Sequence, residues 1–207
     1  MAVPPGPIAT RAAPTNLGLR SPEPGSMPGC AKAPEALRNA DLHSRLGELG
    51  AEDAGAVLPG RDVDRVSPGS VRNPEAIIDY ARRLASWVEQ LLASGRVPLV
   101  PGGDCSLLAG VGVALASNRR YGLVHLDGHT DFRHPGNSSG CANLAGEDLA
   151  MAVGSHWPLL ADIDGLGPYF APRNAVHAGC RDDDERWTRY ATGWRSGLPR
   201  PTCARVA

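Results

Sequence analysis

Asp127, His129 and Asp131 stand at alternate positions in the segment Leu126-Asp127-Gly128-His129-Thr130-Asp131. Two carboxylates and one imidazole form a hard-to-intermediate donor set, which suits Mn²⁺ better than the thiol-rich sets that favour zinc or copper. A carboxylate can also bridge two ions and hold them close enough to share one hydroxide. Alternate residues converge only where the chain turns, and Gly128 makes that turn inexpensive. Taken bare, the triplet reads first as a polar loop that caps a strand and binds water. Its surroundings give it chemistry.

Upstream, Gly102-Gly103-Asp104-Cys105-Ser106 makes a sharp turn between a strand and a helix. Cys105 reads with equal weight as a metal ligand or as a buried thiol. As a ligand it is a softer donor than oxygen, and it must lose a proton from a resting pKa near about 8.5. A thiolate there would tilt the site towards zinc or iron, or leave one position to water.

The elements around these turns are legible from periodicity. Ile77, Ile78, Ala81, Leu84, Ala85, Val88, Leu91 and Leu92 fall on one helical face. Asn73 is placed to cap that helix, Pro74 suits its first position and Gly95 its stop. Val97-Pro98-Leu99-Val100 follows as a short buried strand, then a helix over Leu107 to Ala116. A second strand, Tyr121 to Leu126, ends in the acidic cluster, and a third spans Asn174 to Gly179. Helix alternating with strand predicts a parallel α/β sheet, with ligands off the carboxyl ends of its strands.

The whole chain fits one domain. It has 207 residues, 42% hydrophobic and 21% charged, and a net charge of -1. That charge gives no reason to expect nucleic acid or an anionic membrane as partner. No apolar run approaches the roughly 20 residues of a membrane helix, and the N-terminus has no secretory h-region, so a cytoplasmic setting is expected. The cysteines Cys30, Cys105, Cys141, Cys180 and Cys203 are odd in number and lack Cys-x-x-Cys spacing, which argues against a disulfide scaffold. Residues 1–36 hold eight prolines and four glycines, so residues 1–32 are expected to be loose, with order beginning near Ala33. The domain proper is expected over 33–185. Residues 186–207 form an atypical basic and aromatic tail.

The two glycine- and aspartate-bearing turns, in this order, resemble the paired signatures of the arginase, agmatinase and formimidoylglutamase family of ureohydrolases. Ala33-Pro34-Glu35-Ala36-Leu37-Arg38 and Ala175-Val176-His177-Ala178-Gly179-Cys180-Arg181-Asp182 extend the resemblance over most of residues 15–185. The resemblance implies a three-layer αβα sandwich with a mainly parallel sheet, here incomplete at the C-terminus. It implies a binuclear Mn²⁺ centre whose bridging hydroxide attacks a small guanidino or amidino substrate. Asp127 would bridge both ions, Asp131 would serve one and His129 the other, and Cys105 takes the place of a histidine ligand. Asn143, with Asn137 and Ser139, could touch a substrate carboxylate, and Asp184 a substrate amine. Ala145 stands where arginases carry the histidine of an N-L-H-G segment, and His134 reads as a loop histidine.

One family signature, S-x-D-x-D-x-x-D-P, has no match after Glu185. Asp162-Ile163-Asp164-Gly165 is better read as a turn than as its substitute. The expectation is therefore one ion or none, with weak or no activity in this chain. The alternative is a non-catalytic metal-binding or scaffold protein of the same ancestry. A sheet cut short would also leave an apolar edge, favouring homo-oligomers or marginal stability.

Overall fold

The computed structural model describes residues 6–63, 66, 69–117, 121–179 and 181, together with the backbone of 202–204. Strand β1 (Ile8–Ala12) opens the chain and lies between β2 (Glu52–Ala56) and β3 (Val97–Leu99), parallel to both. This corrects the expectation that residues 1–32 stay loose. Ile8-Ala9-Thr10-Arg11-Ala12 contains no proline, so every amide in it can join a ladder, and the prolines before it fall outside the strand. Helices α1 (Ala33–Asn39) and α2 (Leu42–Glu48) link β1 to β2, with Pro34 in the first turn of α1.

Helix α3 (Pro74–Ala93) buries Ile77, Tyr80, Ala81, Leu84, Ala85, Trp87, Val88 and Leu91 along the face its periodicity predicts. Gly95 ends it in the left-handed region, at φ 74°. Asn73 does not cap it. The residue is itself left-handed; its Nδ2 donates to the Leu17 carbonyl at 3.0 Å and its Oδ1 accepts from the Val63 amide at 3.1 Å. A long-range tie has outcompeted the local cap. Helix α4 (Leu107–Ala116) packs on α3, and Gly110 permits the approach: a Cβ there would lie 2.9 Å from Leu84 side-chain carbons.

The second sheet contains β4 (Leu123–Leu126), β5 (Ala175–Ala178) and β6 (Thr202–Ala204) in that order, all parallel. Between β4 and β5 the chain forms α5 (Asp148–Ala152) and α6 (Pro158–Ala161). The layers are α/β and the pairing parallel, as expected, with the described strands in two separate three-stranded ladders. Strand β4 inverts the usual preference of its residues. Val124 and Leu126 are 69% and 74% exposed, whereas the His125 side chain between them is 11% exposed. Parallel strands normally have both faces covered, so this face is unusual. Among the described residues, no helix is long and apolar enough to cross a membrane.

Most of the apolar core surrounds α3 and α4 and includes Leu84, Val88, Val113, Tyr169 and Phe170. A smaller cluster of Phe132, Leu149, Ala150, Val153 and Ala175 lies under the acidic loop. Both polar turns are thereby held between packed elements at the carboxyl ends of strands.

Candidate metal centre

The first turn is fixed by backbone proximity. A Cβ on Gly103 would stand 2.0 Å from the Thr15 carbonyl oxygen, so only glycine fits against the chain leaving β1. Asp104 is used locally: Oδ1 accepts from the Ser106 amide at 2.9 Å and Oδ2 from the Gly18 amide at 3.3 Å. Cys105 is thus presented, half-buried, at the start of α4.

The second turn follows β4. The Asp127 amide donates to the Ala178 carbonyl at 3.0 Å and the Arg181 amide to the Gly128 carbonyl at 3.1 Å, so the chain leaving β5 clamps the loop. Asp127 Oδ1 accepts from the His129 amide at 2.8 Å. Asp131 is buried and sits at φ 43°, in the left-handed region that non-glycine residues adopt at a cost of about 1–3 kcal/mol. Its carbonyl accepts from the Ala150 amide in α5 at 3.3 Å.

Two overlapping groups of donor atoms result. Cys105, Asp131 and Asp148 form one and His125, Asp127 and Asp131 the other, with the atoms of each group within 4.8 Å of one another. Cys105, Asp127 and Asp131 were expected here; Asp148 and His125 were not. His125 had a legible signal, because it lies two residues before Asp127 and shares its strand face. Asp148 had a weaker one, an acid inside the apolar run from Leu144 to Val153. His129 is placed apart from both groups. Its ring is 42% exposed, Nδ1 is 3.5 Å from Asp127 Oδ1, and Nε2 faces the Arg181 guanidinium.

Behind the donors lies a buried polar chain. His125 Nε2 is 3.4 Å from Asp148 Oδ2, and His125 Nδ1 is 2.9 Å from His177 Nδ1 across the β4–β5 register. Burial opposes charge on His125, yet the adjacent carboxylates of Asp148 and Asp127 hold its pKa above the ordinary imidazole value. Burial raises Asp148 against the opposing pull of His125. Both directions agree on a proton retained within the pair.

Burial, and then the charges of Asp148, Asp131, Asp127 and Asp104, push the Cys105 thiol well above its ordinary range. Several acids crowd one buried thiol, and a divalent cation would neutralise that repulsion. Asp148 Oδ1 is also buried without an N–H donor among the described residues, and the Asp131 carboxyl is the group beside that side chain. An orphan carboxylate oxygen beside a thiol and a second carboxylate fits a cation.

The other expected residues have plainer duties. Asn143 donates its amide to Glu147 Oε1 at 3.1 Å and lines a cavity with Arg20, Glu23, Arg72 and Ala142. Glu147 also accepts from the Ala142 amide at 2.9 Å and pairs with His156 at 2.8 Å. Cys141, Glu147 and His156 are close enough to group, but Glu147 is spent on holding that loop. Asn137 and His134 staple their own turn: Asn137 Oδ1 accepts from the His134 amide at 2.9 Å, and His134 Nδ1 from the Gly136 amide at 3.1 Å. Asp162 accepts from the Gly167 amide, and Asp164 pairs with Arg82 at the surface, so both serve turns. Asp184 lies outside the described residues.

The chain is similar to known proteins over most of its length. The model of the arginase family matches residues 22–198. An arginase of Bacillus caldovelox is 33% identical over 162 residues, covering 76% of this chain and 54% of that protein. Arginase-1 of Homo sapiens is 30% identical over 166 residues, covering 75% and 50%. The chain thus spans about half the length of the curated relatives it matches. The crystal structure of the Bacillus caldovelox arginase superposes with a TM-score of 0.78 at 29% identity, over 95% of this chain and 64% of that one. That of Bacillus subtilis arginase gives 0.77 at 26%, over 96% and 63%.

Proposed function

The chain belongs to the arginase family, and we propose that it carries the metal-binding portion of a ureohydrolase-type site, acting on a C–N bond of a linear guanidino or amidino compound. The observation that carries this reading is that Asp131 is shared by two donor groups, one with Cys105 from the first turn and Asp148, the other with Asp127 and His125, at the carboxyl ends of parallel strands. Asp127 and Asp131 would hold Mn²⁺, with Cys105 as a third donor and His129 reaching a second ion from the open side. Bound manganese supplies Lewis acidity, lowering the pKa of water and stabilising charge as it develops on the substrate.

The chain's own residues explain why we propose weak or no activity for it alone. Cys105 replaces an imidazole with a half-buried thiol, which must give up its proton before it can bind an ion. A second ion would draw on Asp127 with His125 beside it, because the His129 ring is half-exposed and engaged by Arg181. With Asp131 shared between the two groups, each ion would leave much of its coordination shell to water. The competing reading, a non-catalytic metal-binding or scaffold protein, draws on the same asymmetry. Our reading also places the chain in the cytoplasm and allows copies to associate through the exposed β4 face.

Metal content by mass spectrometry, paired with urea release from a panel of guanidino compounds, decides among these. One ion per chain, lost in Asp131→Ala, with little or no urea is the expected result. Two tightly held ions with rapid turnover would overturn the proposal of weak activity. No ion at all would remove the metal-site reading.

A further inference from the structure

Asp148 belongs to neither signature turn, yet it is the most deeply placed acid in the cluster. Its residue is 2% exposed, and it opens the five-residue α5 under the acidic loop. The two oxygens differ. Oδ2 faces His125 Nε2 at 3.4 Å, while Oδ1 is buried with no N–H donor among the described residues, and the Asp131 carboxyl lies within hydrogen-bond reach of the same side chain. A carboxylate oxygen left in that state normally costs about 1–3 kcal/mol or more, so it calls for an explanation.

The neighbours supply one. A donor oxygen of Asp148, a donor oxygen of Asp131 and the Cys105 sulfur lie within 4.8 Å of one another. A tetrahedral ion with bonds of roughly 2.0–2.3 Å draws its ligands to about 3.5 Å apart. Closing the group onto an ion therefore needs side-chain movements of about an ångström. Asp131 is already fixed by its left-handed backbone and its bond to α5, and Cys105 by the turn into α4. His125 stands behind Asp148 as the outer partner that orients a ligating carboxylate, and His177 in turn stands behind His125.

We propose that Asp148 is itself a metal ligand, completing with Cys105 and Asp131 a thiolate–dicarboxylate site that prefers zinc-class divalent ions to manganese. This rests on the reading above that the pocket holds a cation, and it changes both the ligand set and the metal. One thiolate among three protein ligands moves the donor set towards the softer ions, and three ligands leave a position open for water or a small ligand. Binding breaks the Cys105 S–H bond, the proton leaves to solvent, and the sulfur lone pair goes to the metal.

The test uses the full chain, stripped with EDTA and reloaded with Zn²⁺, Co²⁺ or Mn²⁺ singly. Zinc and cobalt are expected to be retained over manganese, and the cobalt form to show a sulfur-to-cobalt charge-transfer band that Cys105→Ser abolishes. Asp148→Asn is expected to keep its circular dichroism and its melt in EDTA, yet to lose cobalt affinity by more than about tenfold, the lower bound for losing even an outer partner. If the wild type holds an ion that depends on Asp131 while Asp148→Asn binds it equally well, the inference is overturned and the broader metal reading stands. If the wild type binds nothing, both fall. Zinc-edge X-ray absorption on the wild-type chain needs no variant: one sulfur with oxygen neighbours supports the site, and a sulfur-free shell overturns it.

Discussion

Two buried regions of this molecule are filled in opposite ways. Around α3 and α4 the interior is almost wholly apolar, and its polar groups are spent on backbone. Tyr80 donates to the Val57 carbonyl at 2.7 Å, and Tyr169 donates to the Leu160 carbonyl at 2.6 Å while accepting from the Ile163 amide at 2.9 Å. Under the acidic loop only a handful of apolar side chains pack, and Asp131, Asp148, His125 and His177 occupy the space beside them. The first region gains stability from burial. The second carries desolvated charge that only pairing or a bound cation offsets. Stability and chemistry have been assigned to different parts of one fold, joined where α4 leaves the apolar core and presents Cys105.

The sharpest way to break this contrast is to damage the apolar side. Leu84 is fully buried against Gly110, so Leu84→Ala should cost about 2–5 kcal/mol in urea unfolding. Gly110→Val should cost somewhat less, about 1–3 kcal/mol, by forcing α3 and α4 apart. A loss near zero for Leu84→Ala would mean that this core does not hold the fold.

Metal should act almost entirely on the other side. An ion supplied at roughly one hundred times its dissociation constant should stabilise the native chain by about 2.7 kcal/mol, and EDTA should reverse it. Hydrogen exchange is the sharper readout: protection should rise in β4, α5 and β5 and stay unchanged in α3. A uniform rise would erase the distinction between the regions.

The smallest effect expected is at high pH. Burial raises Tyr169, and likewise Tyr80, above the ordinary phenol value. The folded state therefore favours the neutral phenol, and its contribution is complete below the unfolded pKa of about 10 and is lost as pH climbs above it. Tyr169→Phe should cost about 0.5–1.5 kcal/mol at pH 7 and flatten the alkaline limb of the melt. An unchanged limb would show that neither phenol is held neutral by the fold.

Much of this arrangement could be read from local pattern. The face of α3, the extent of α4 and the positions of Asp127 and Asp131 at a strand end all follow from spacings of two to four residues, and the structure places them so. The first strand was hidden by its neighbours, because prolines and glycines on both sides of Ile8–Ala12 suggested a loose segment. A strand of five residues carries little local signal, and β1 is defined by ladders to residues more than forty and more than eighty positions away.

The sequence alone determined which donors exist and which turns present them, because glycine, aspartate and helix periodicity act within a few residues. Tertiary structure alone decided which donors meet. It turned His129 out towards Arg181, brought His125 against His177 across the register, and carried Asp148, at the start of α5, to within reach of Cys105 and Asp131. Those pairings depend on how β4, β5 and α5 pack together, and no spacing along the chain encodes a distance between elements.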